Sequence, residues 1–85
     1  MPELIQQYLE RVQGAHGIIY NVFAYGEHRA DDLWEGWIEF HPENNAGPVL
    51  RTGRETTQPD KAALIYWASG LEPLYFEGAL ARALE

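Results

Sequence analysis

Arg51 and Arg54 stand three positions apart in the stretch "LRTGRETT". Two guanidinium forks held together bind a carboxylate or a phosphate bidentately. On an ideal strand, residues three apart project to opposite faces, so a clamp needs an extra residue between them. Gly53 is placed to supply such a bulge. The plainer role for both arginines is pairing across a sheet with Glu35, Glu39 or Glu55. His41 follows Glu39 by two residues, so both side chains leave one strand face. Such a pair can serve acid/base chemistry or contribute to a metal site. Two ligands are too few for a metal, and His16 and His28 have no useful spacing to them. Glu35 and Glu39 flank Trp37; their pKa values would separate only if both were buried together. No nucleophile stands out. Cysteine is absent, the sole serine is Ser69 at a helix end, and no phosphate-cradling glycine loop occurs. The candidate ligand-binding or interface residues are therefore Trp37, Glu39, His41, Arg51, Arg54 and Trp67. No catalytic residue, metal ligand or cofactor is assigned.

These residues need elements to hold them. Leu4, Ile5, Tyr8, Leu9 and Val12 form a stripe at helical spacing, which predicts an N-terminal helix over Pro2 to Gln13, closed by Gly14. His16 to Gly26 reads as a strand. It is apolar on both faces, with Ile18, Tyr20, Val22 and Ala24 on one and Ile19, Phe23 and Tyr25 on the other. Leu33 to Pro42 alternates cleanly. Trp34, Gly36, Ile38 and Phe40 face the core, and Glu35, Trp37, Glu39 and His41 face outward. Turn-rich "PENNAGP" leads into a third strand, Val49 to Thr57, polar enough for an edge. Thr57 and Asp60 make a capping-box-like start to a helix ending near Ser69, with Gly70 set for a left-handed C-cap. The tail holds either a short strand at Leu74 to Phe76 before a helix, or one terminal helix. The expected fold is α+β in a single domain: N-terminal helix, three-stranded antiparallel sheet, capped helix, and a C-terminal helix or short strand. The helices should cover one sheet face.

Composition narrows the function. Thirteen acids oppose six bases for a net charge of -7, and phosphate backbones repel such a surface. Nucleic acid is therefore not an expected partner. Aromatic residues make up 13% of the 85, more than a small core hides, which favours self-association or a protein partner. Trp37, Tyr66, Trp67 and Tyr75 are the candidates for exposed aromatics. The N-terminus lacks the basic start and apolar run of a signal peptide, and no run approaches the roughly 20 apolar residues of a membrane span. A cytoplasmic location without membrane attachment is expected.

The motifs "WEGWIEF", "LRTGRETTQP", "YWASGLEP" and "YFEGAL", spread over Trp34 to Leu80, resemble a small family of uncharacterised bacterial proteins. That resemblance implies a bacterial cytosolic protein and brings no activity, cofactor or site residue with it. The run "RTGRETTQPDKAA" is similar to antitoxin domains of the HicB type, whose β-β-β-α-β core places a strand, a turn and a capped helix in this order. The expected N-terminal helix and the lack of a separate DNA-binding segment depart from that pattern. The order α-β-β-β-α also resembles double-stranded RNA-binding domains. Their second helix opens on a lysine cluster, however, where this one has Lys61 alone. Three readings follow. The first is a non-enzymatic, self-associating interaction module. The second is a small anion-binding protein or enzyme using Arg51 and Arg54, with Glu39 or His41 as acid/base. The third is an antitoxin-like or nucleic-acid-associated domain.

Overall fold

The computed structural model describes residues 1–85. It contains β1 (Glu3–Gln13), β2 (Ile19–His28), β3 (Trp34–Pro42), β4 (Leu50–Arg51), β5 (Thr56–Gln58), α1 (Lys61–Ser69) and α2 (Pro73–Ala83). The strands form one antiparallel sheet in the order β1-β2-β3-β4, with β5 also paired to β3. The fold expectation is thus corrected at its first element. Residues 3–13 are an edge strand rather than a helix, and the sheet has five strands rather than three. The α-β-β-β-α order shared with RNA-binding domains falls with that helix.

The cause lies in the register of β1. Leu4 faces Tyr25, Gln7 faces Phe23 and Val12 faces Tyr20, with irregularities after Leu4 and after Gln7. Each irregularity inserts residues into β1 that have no counterpart on β2, and so breaks the strict alternation of a strand. Ile5, Tyr8 and Val12 consequently all pack on the core side at spacings of three and four. Those are helical spacings produced by a bulged strand. Of the residues without a counterpart, Ile5 and Tyr8 turn inward, while Leu9 is almost fully exposed.

β2 is central, between β1 and β3. Tyr20, Val22 and Ala24 are buried under the helices, together with Ile38 and Phe40 of β3. The glycine pair Gly26 and Gly36 lies opposed across β2 and β3. Leu64 of α1 sits on it, and a Cβ on Gly26 would lie 2.4 Å from Leu64 Cδ2. Phe76, Ala79 and Leu80 of α2 complete the core, with Phe76 against Tyr8 at 4.5 Å between ring centroids. The buried Tyr8 hydroxyl donates to the Ala68 carbonyl (2.7 Å).

The third predicted strand is split into β4 and β5 around Gly53. Thr52 holds the break. Its amide donates to the Ile38 carbonyl (3.0 Å), and its hydroxyl oxygen accepts from the Ile38 amide (3.1 Å). Two helix boundaries also differ from expectation. Asp60, not Thr57, caps α1 by accepting from the Ala63 amide (2.8 Å). Gly70 ends it in a right-handed conformation, φ -96°. The tail is one helix opened by Pro73, which fits the first turn because it has no amide hydrogen to leave unsatisfied. Both helices lie on the same side of the sheet, and the other face carries no covering element.

Candidate functional site

The uncovered face presents alternate residues of three adjacent strands. β3 contributes Glu35, Trp37, Glu39 and His41, opposite Glu27, Tyr25, Phe23 and Asn21 of β2. Arg51 of β4 lies opposite Glu39. These side chains form a bonded array. The Arg51 guanidinium lies 3.9 Å from the Trp37 ring centroid. The Trp37 indole N–H donates to Glu39 Oε2 (2.9 Å). The other carboxylate oxygen of Glu39 lies 2.9 Å from His41 Nε2. A carboxylate only accepts, so that nitrogen carries the proton. The His41 ring is 4.6 Å from Phe23 and lies parallel to Tyr25 at 6.4 Å.

This array alters the reading of each candidate. Trp37 faces the open side yet is only 1% exposed, because its neighbours on this face, Arg51 among them, close over it. It is a pedestal for Arg51, not an exposed anchor. Trp67 belongs to the opposite side of the sheet. It packs next to Gly36 and edge-on to Tyr75 at 6.3 Å. Tyr75 is half-buried, and Tyr66 alone of the four aromatic candidates is freely exposed. Glu39 and His41 share the open face as their spacing requires. Arg51 joins them at the edge. Arg54 is exposed and forms no hydrogen bond or ion pair. The sequence pattern had placed Phe23 and Tyr25 on one strand face without assigning them to the site; their apolar alternation was the signal.

The carboxylates expected to pair with the two arginines are all engaged elsewhere. Arg29 approaches Glu35 at 3.9 Å. Glu39 is held by Trp37 and His41. Glu55 lies on the helix side, where it accepts from the Tyr75 hydroxyl and from Arg82 Nε (3.0 Å) and its terminal nitrogen (2.5 Å). Burial pushes the Glu55 carboxyl up, but the hydrogen bonds from Arg82 and Tyr75 outweigh it and hold the group below the usual carboxylate range. Burial and the bond to Glu55 push the Tyr75 phenol up to about 12.

Four concavities of about 300–440 Å³ mark the surface. Trp37, Glu39, His41, Arg51 and Arg54 line none of them. No three His, Asp or Glu side chains converge as a metal site. No helix is long and apolar enough to cross a membrane. No family model, curated protein or solved structure matches the chain.

Proposed function

We propose that the chain is a non-enzymatic protein-interaction module of the bacterial cytoplasm that self-associates, belonging with the small family its motifs resemble. Its recognition surface is the arginine-bearing side of the open sheet face. The carrying observation is Arg51 stacked on a buried Trp37 that is itself tied to Glu39 and His41. A guanidinium held over an indole face keeps N–H groups free to donate to a partner carboxylate. The stack fixes the side chain before binding, which lowers the entropic cost of association. The absence of these residues from every concavity favours a protein surface over a small substrate.

Light scattering over a concentration series tests this reading. The wild type should associate. Arg51→Ala should weaken association by about tenfold, the scale of a single well-placed arginine anchor. The same variant uncovers Trp37, so its fluorescence should shift to longer wavelength while the fold persists. A wild type that stays monomeric at every concentration refutes self-association.

A further inference from the structure

The basic side chains fall into two groups. Arg11 meets Glu43 (2.9 Å), Arg29 meets Asp31 (3.0 Å), Lys61 meets Glu3 (2.6 Å) and Arg82 meets Glu55 (2.5 Å). Arg51 and Arg54 meet no carboxylate, although acids outnumber bases thirteen to six. Shortage of partners does not explain this. The fold has turned the nearest carboxylates to other tasks and left one edge of the sheet positive.

The opposite edge is the reverse. Glu10 and Glu77 are exposed, and neither meets a cation. They line one groove of about 350 Å³ between β1 and α2, with Val12 and Leu80 as its apolar walls. Arg11 also lines it, already bound to Glu43. The order β1-β2-β3-β4 sets this groove and the two arginines on opposite edges of one sheet.

We propose that copies of the chain associate head to tail. The β4–β5 edge of one copy docks on the β1–α2 groove of the next, and Arg54 meets Glu10 and Glu77. This rests on the self-association proposed above and names the surface that receives the arginine edge. Guanidinium groups and carboxylates that lack partners in the monomer gain them in the contact. Pairing two open faces with each other would instead bring together Glu27, Glu35 and Glu39 of both copies on a chain already at -7. Two different patches make a heterologous contact, which repeats until a ring closes or continues as a filament.

Charge reversal tests the contact. Arg54 makes no bond within the monomer and the two groove acids pair with nothing, so Arg54→Glu and Glu10→Lys/Glu77→Lys should keep wild-type circular dichroism. Scattering mass of the wild type should rise past a dimer with concentration. Each variant alone should remain monomeric over that range, a loss of at least about tenfold in affinity. An equal mixture should recover association, because the arginine edge of the groove variant meets the intact groove of the arginine variant. A groove variant that associates like the wild type overturns the head-to-tail contact while leaving self-association in place. So does a wild type that saturates as a dimer, or a mixture that stays monomeric. A wild type monomeric throughout removes both readings.

Discussion

Replacing Glu55 by Gln removes a charge that ties the β4–β5 connection to α2. Glu55 lies between β4 and β5, and its side chain, 9% exposed, receives Tyr75 and Arg82 of α2. Hydrogen bonds to a charged group contribute about 1.5–3 kcal/mol. Arg82 is 46% exposed and retains water as an alternative partner, so the expected loss at pH 7 is about 2 kcal/mol. Only 15 of the 85 residues are buried, so the molecule has little core to absorb that loss. In a domain of this size it lowers Tm by roughly 8–16 °C. The pH response carries a sign. The folded-state pKa of Glu55 is depressed, so its stabilisation is present above the unfolded value of about 4.3 and disappears as pH falls through the folded value. The wild type should therefore lose its advantage over Glu55→Gln between about pH 5 and the folded pKa. Thermal melts of both proteins at pH 7, 4 and 2.5 measure this. A variant within about 2 °C of wild type at pH 7, or a gap that persists unchanged at pH 2.5, refutes the linkage.

Two further perturbations probe the sheet. Gly26→Ala forces a Cβ to 2.4 Å from Leu64 Cδ2 and should cost about 1–3 kcal/mol in urea denaturation. Adding Leu64→Ala should make the double variant less unstable than the two single losses combined, and strict additivity would count against the contact. Thr52→Val keeps the side-chain shape but takes the acceptor from the Ile38 amide, for a loss of about 1–3 kcal/mol. Hydrogen exchange at Ile38 should quicken in that variant ahead of exchange at Val22.

Local chemistry made much of this molecule legible. Alternation in "WEGWIEF" separates Ile38 and Phe40 from Glu35 and Glu39, and the structure keeps that division. The apolar run of β2 marks it as a strand, and it is central in the sheet, although the helices cover only one of its two apolar faces. A glycine within a polar strand predicts an irregularity, read as a bulge, and the structure goes further by dividing the strand there into β4 and β5. Pairing of Glu39 with His41 needs only their two-residue spacing. These features follow from side-chain period and backbone freedom within a few residues, so neighbours in sequence suffice to determine them.

What remained depended on residues far away along the chain. β1 carries apolar side chains at helical spacing, and only the free edge of β2 makes it a strand. The backbone groups along that edge need partners, and a helix over residues 3–13 would offer them none. Trp37 has the outward position its alternation requires, but its burial was decided by neighbours such as Arg51, fourteen residues on. Which acids remain available to an arginine was likewise a tertiary outcome. Glu55 looked like a neighbour of Arg54 and became the partner of Arg82, because α2 folds back over the sheet. Composition set the number of charges. Chain packing decided which of them were neutralised within the molecule and which were left facing outward.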